Sequence, residues 1–225
     1  MDYIKNLLII KEKNEEILRI DEFEKIIYIL IKEFNLQNYI NDVILINFNK
    51  YRIKRNVCAL YNNKQLYFDY LRVVHSKNQT KVSLINLNII KIILHELMHV
   101  IQERKIVHNF NNTESYILYA SFLRKKELIK KGVYEDFYKI NPIERQAEII
   151  SLQRIISMFK NSFKLGAFER ELNDNLKYGY NFDNPMIINP YNQYFDNNIS
   201  FFKLGDFTDK KRLELGLPVK KVKKW

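Results

Sequence analysis

The residues that could do chemistry sit near the middle of the chain, where His95-Glu96-Leu97-Met98-His99 forms an H-E-x-x-H run. Histidines at i and i+4 of a helix lie on one face, so both imidazoles can address a single metal ion. Glu96, one residue on, is placed to take a proton from a metal-activated water as general base. The flanking Ile92, Ile93, Leu94, Val100 and Ile101 supply a helical context and an apolar wall in which charges act strongly. With 4 His and 16 Glu in 225 residues, random placement produces such a run in roughly 0.5% of sequences. Two histidines merely satisfied by hydrogen bonds on a buried helix are therefore the weaker reading.

A catalytic zinc of this kind takes a third protein ligand and leaves the fourth position to water. The metzincin spacing would put Gly at 102 and His at 105, where this chain has Gln102 and Lys105, so that pattern fails. The gluzincin pattern instead takes a carboxylate from a later helix, and Asn141-Pro142-Ile143-Glu144-Arg145-Gln146-Ala147-Glu148 resembles that pattern. Glu144 and Glu148 are four apart on one helical face, so one can bind metal while the other braces a ligand histidine. Asn141 with Glu144 three residues on is also a capping-box spacing. Glu144 as a cap, with Glu148 or Glu114 on the metal, is the competing assignment.

Together these pieces resemble the gluzincin metallopeptidases, and among them the compact intracellular minigluzincins similar to ImmA/IrrE-type regulatory peptidases. The resemblance rests on His95-Glu96-Leu97-Met98-His99, the strands before it and Glu144-Arg145-Gln146-Ala147-Glu148, and spans roughly residues 43–160. It implies an α+β, mostly helical zincin-like domain with a small antiparallel or mixed sheet ahead of the motif helix. It further implies zinc held by His95, His99 and Glu144, with Glu148 as the supporting acid. The activity implied is peptide-bond hydrolysis, with Glu96 moving the proton from water to the leaving amine. No oxyanion donor stands out. Tyr116 and Tyr138 compete with the rest of the 15 Tyr, His108 reads as a loop histidine, and His75 reads as structural or exposed.

Several elements must position these residues. Ile17, Ile20, Phe23, Ile27, Leu30 and Ile31 recur at helical spacing and predict an amphipathic helix over Asn14 to Phe34. Val43 to Phe48 predicts a strand, and Cys58 to Tyr61 and Gln65 to Val74 predict two more joined around Asn62-Asn63. The edge of the last strand is a candidate to hold an extended peptide. The motif helix is expected from Asn86 or Asn88 as N-cap to about Arg104, nearly apolar all round. Further helices are expected over Thr113 to Lys131, stopped by Gly132, and from Asn141-Pro142 to about Phe159. Tyr178 to Phe202 reads as an irregular wrap, and Lys210 to Trp225 as a basic tail. The organisation expected is an N-terminal helical segment over 1–40, a zincin-like domain over 41–160 and a C-terminal extension over 161–225.

Composition bounds the rest. A hydrophobic share of 47% supports a proper core, and only 5 Gly and 4 Pro argue against a turn-dense β-sandwich. The single Cys58 excludes an intrachain disulfide, a Cys-cluster zinc site and an iron–sulfur cluster, and points to a reducing compartment. No targeting segment and no membrane span are expected, so the reading is cytoplasmic and soluble. The balance of 37 Lys+Arg against 26 Asp+Glu, a net +11, favours anionic partners. The alternative function is accordingly a catalytically silent zincin-like scaffold that binds nucleic acid or an acidic protein through its basic surface. An intact Glu96 argues against that alternative, because a scaffold has no need of a general base.

Overall fold

The computed structural model of the chain describes residues 1–51, 53, 57–77, 79–108, 118, 121–122 and 141–176. They form α1 (Asp2–Lys13), α2 (Ile20–Glu33), β1 (Asp42–Leu45), a 3-10 turn (Phe48–Tyr51), β2 (Ala59–Asn62), β3 (Gln65–Phe68), α3 (Tyr70–Val74), α4 (Val82–His108), α5 (Pro142–Phe159) and α6 (Gly166–Leu176). The architecture is α+β, mostly helical, with a three-stranded mixed sheet ahead of the long helix α4. Of the helix expected over Thr113–Lys131, only 118, 121 and 122 are described, and they are helical. Glu114, Tyr116, Tyr138, the wrap over 178–202 and the basic tail lie outside the described residues.

The chain divides into two compact units, one of Met1–Ile101 with Gln146–Lys177, the other of Gln102–Arg145 with Tyr178–Trp225. In the first unit a single hydrophobic core joins Ile4 and Leu8 of α1, Phe23, Ile27 and Leu30 of α2, Leu66 and Phe68 of β3, Ile90, Ile93 and Leu97 of α4, Leu152 and Ile155 of α5, and Phe168 of α6. The N-terminal helices thus share their core with the motif helix. Phe23 meets the Phe68 ring edge-on, with centroids 5.4 Å apart. In the second unit Gln102, on the C-terminal turns of α4, donates from Nε2 to the Ile143 carbonyl at 2.9 Å.

Several boundaries depart from expectation, each for a local polar reason. The helix expected from Asn14 begins at Ile20, because α1 ends at Lys13 and Glu15 turns with φ 54°. Arg19 then caps α2, its N–H donating to the Glu22 carboxylate at 2.7 Å. β1 stops at Leu45, and Phe48 enters a 3-10 turn with its N–H on Asp69 Oδ2 at 2.8 Å. The strand expected to reach Val74 ends at Phe68, because Asp69 caps α3 through Arg72 N–H at 3.2 Å. Asn63 and Lys64, with φ 50° and 61°, carry the left-handed turn between β2 and β3.

Two further expectations are corrected. α4 begins at Val82 rather than at Asn86 or Asn88 and runs to His108. Both asparagines lie inside it: Asn86 accepts from Leu18 N–H at 2.9 Å and donates to the Glu16 carbonyl at 3.0 Å, while Asn88 donates to Ser76 Oγ at 2.8 Å. The strand order is β1-β3-β2, with β1 parallel and β2 antiparallel to β3. β3 is therefore central and has no edge to offer a peptide. Over Val82–Lys105, α4 is long and apolar enough to cross a membrane, and most of that stretch is buried in the protein.

Candidate metal centre

α4 reads as a core helix because apolar residues surround it, yet one stripe along it is polar. Asn88, Lys91 and His95 follow one another at i, i+3 and i+7, and all three are buried. His95 and His99 come one turn apart, with ring centroids 4.9 Å apart and planes at 85°. One ligand atom each from His95, Glu96 and His99 lies within 4.8 Å of the others. His95 and Glu96 are 9% and 8% exposed, and His99 is half-buried.

The second carboxylate of the motif pair lands on the first histidine. Glu148, on α5, sets its Oε2 3.1 Å from His95 Nδ1. A carboxylate only accepts, so Nδ1 carries the proton and the ring's lone pair sits on Nε2. Glu148 Oε1 accepts from Lys91 Nζ, which also reaches Glu171 of α6 at 3.3 Å. Burial alone would raise the Glu148 pKa, but the hydrogen bond from His95 and the charge of Lys91 hold it well below the usual carboxylate range. Burial likewise works against the Lys91 charge, yet Glu148 and Glu171 hold its pKa above the ordinary lysine value.

Glu144 is 5% exposed in the first turn of α5, where Asn141 Oδ1 accepts the Ile143 N–H at 3.1 Å. It belongs to the second unit, whereas His95, Glu96, His99 and Glu148 belong to the first. His75 closes α3, its N–H on the Leu71 carbonyl at 3.1 Å, and takes no place among the three grouped side chains. Cys58, just before β2, is partly buried, and burial with the nearby Glu96 charge pushes its thiol up to about 11.

Lys91 and Glu171 are the residues that sequence reasoning missed. Lys91 had a signal: it is a charge interrupting an apolar helix one turn before His95. Glu171 had none, because α6 lies in a stretch where no helix was expected.

No family model, no curated protein and no solved structure matches this chain.

The donor set fits zinc. Two imidazoles that share a helical face, one with its tautomer set by a carboxylate, are borderline-soft ligands of the kind zinc takes. Glu96 adds a carboxylate oxygen to the same group.

Proposed function

We propose that this chain is a zinc-dependent metallopeptidase that hydrolyses peptide bonds, with a protein inside the cell as its substrate. The observation that carries the reading is the convergence of His95, Glu96 and His99 with Glu148 on His95 Nδ1. His95 and His99 would hold the metal, and Glu144 is assigned the third ligand place on the Glu144-x-x-Ala147-Glu148 pattern of α5. Bound zinc supplies an acidified water and a Lewis acid for the scissile carbonyl. Glu96 would serve as the general base, moving a proton from the attacking water to the departing amine, a role its place beside both histidines permits. Glu148 keeps the His95 ring in one tautomer.

Elemental analysis of protein purified without a metal-affinity tag tests this directly. About one zinc per chain is expected in the wild type, with loss in His99→Ala and Glu144→Ala. Glu96→Gln should keep its zinc while digestion of a peptide library falls by roughly 10²-fold or more. Zinc retained in Glu144→Ala would move the third ligand elsewhere. A wild type that takes up no zinc, even when it is added back, would end the metallopeptidase reading.

A further inference from the structure

His95 ends a row of alternating charges that runs through the first unit. Its Nδ1 is 3.1 Å from Glu148 Oε2, and the other oxygen of Glu148 accepts from Lys91 Nζ. Lys91 Nζ lies 3.3 Å from Glu171 Oε1, and Lys77 Nζ donates to both Glu171 oxygens, at 2.8 and 2.6 Å. The row links α4, α5, α6 and the segment after α3. We propose that Lys91 and Glu171 are positioning residues of the metal site, holding the Glu148 carboxylate against His95 Nδ1 so that the imidazole is preset before metal arrives. The inference rests on the metallopeptidase reading for what the preset ring serves.

Three features favour this over a purely stabilising salt bridge. Lys91 is 6% exposed and sits between Ile90 and Ile92 on a helix whose other core positions are mostly apolar. Replacing buried ion pairs by apolar residues of similar size is often neutral or stabilising, so stability alone gives little reason for a lysine there. The register is the second feature: Lys91 lies one turn before His95, so both side chains reach the same partner on α5. The third is the division of labour on Glu148. One oxygen faces Lys91 and the other faces His95. A glutamate held at one oxygen can still swing about its side-chain torsions; held at both, it has one place to be, and the ring it grips has one orientation. Glu171 performs the same service one step out, fixing the ammonium of Lys91 between two carboxylates.

The test uses the full-length chain, free of metal and then titrated with zinc(II) alone. In the metal-free wild type, long-range ¹⁵N–¹H spectra should show His95 as a single Nδ1–H tautomer. Lys91→Met should give a mixture of tautomers and weaken zinc affinity, read by chelator competition, by roughly 10-fold or more. Lys91→Arg should restore most of both, and Glu171→Gln should shift both in the same direction by less. A Lys91→Met protein that melts earlier yet keeps the wild-type tautomer and zinc affinity would overturn the proposal, leaving Lys91 a structural residue. Should Lys91→Met not fold, Glu171→Gln decides: unchanged tautomer and affinity overturn the proposal, and a shift in both supports it. If no form of the protein binds zinc but the tautomer still answers to Lys91→Met, the positioning stands and the metallopeptidase reading fails.

Discussion

At the scale of single residues, burial and near partners give Cys58 and Glu148 environments that experiment can read. Cys58 is the simplest case. Burial, with the Glu96 charge as the next cause, pushes its thiol from 9.0 up to about 11. Its thiolate fraction at pH 8 is then roughly 100-fold below that of an unperturbed thiol, because each pH unit is a factor of ten. Alkylation of the native protein by iodoacetamide should be slower by about that factor than alkylation of the denatured chain. Glu96→Gln should recover a minor part of the rate, since burial is the larger cause; equal rates in native and denatured protein would contradict the placement of Cys58. Glu148 is the second case. On the proposed zinc site, its oxygen on His95 Nδ1 predicts that Glu148→Ala weakens zinc binding by about 10–100-fold. His75→Ala, outside the His95, Glu96 and His99 group, should leave that affinity unchanged, and equal effects in both would show a global cause.

At the scale of elements, a few polar side chains decide where helices and strands stop. Asn86 ties the 14–19 connection to α4 through two hydrogen bonds, to Leu18 N–H and the Glu16 carbonyl. Asn86→Ala leaves a buried backbone N–H without its acceptor, and that group's desolvation costs about 1–3 kcal/mol. Urea unfolding should show a loss of that order, and a change under about 0.5 kcal/mol would mean that water replaces the side chain. The β2–β3 turn offers the opposite sign. Lys64 sits at φ 61°, a region that side chains with a Cβ rarely adopt. Lys64→Gly should therefore stabilise the protein by about 0.5–1 kcal/mol, because asparagine followed by glycine is the favoured pair for a two-residue hairpin turn. Thermal melts of the two proteins side by side check the sign.

At the scale of the whole molecule, the buried charges give stability a direction with pH. Lys91 has a raised folded pKa, so its contribution is fully present below about 10.5 and is lost as pH rises through the folded value. Cys58 is favoured as the neutral thiol in the folded state, so the unfolded chain ionises first and stability falls between pH 9 and about 11. Both signs agree. Equilibrium unfolding of the metal-free protein should show stability declining above about pH 9, the earlier part of the decline absent in Cys58→Ala. Stability that rises across that interval would contradict the burial of Cys58 and the pairing of Lys91 with Glu148 and Glu171.

Patterns carried by a single helix are legible in the order of residues alone. The i, i+4 histidines, the glutamate between them and the Asn141-Pro142 start of α5 are local, and a helix turns them into faces and caps wherever it sits. The mixed α+β class is legible for the same reason: periods of 3.6 and 2 are local properties of the chain. Features that depend on partners distant in sequence needed the folded molecule. Asp69 ends β3 while it also holds Phe48, 21 residues away. Asn86 lies inside α4 because its partners are Glu16 and Leu18, about 70 residues earlier. β3 is central because β1 pairs with it across the intervening β2, which no pattern within the strand encodes. The row from Lys77 through Glu171, Lys91 and Glu148 to His95 spans separations of 53 to 94 residues. Such a row forms only where low-dielectric burial makes each isolated charge costly and each pairing decisive, and burial is a property of the folded molecule rather than of its residues read in line.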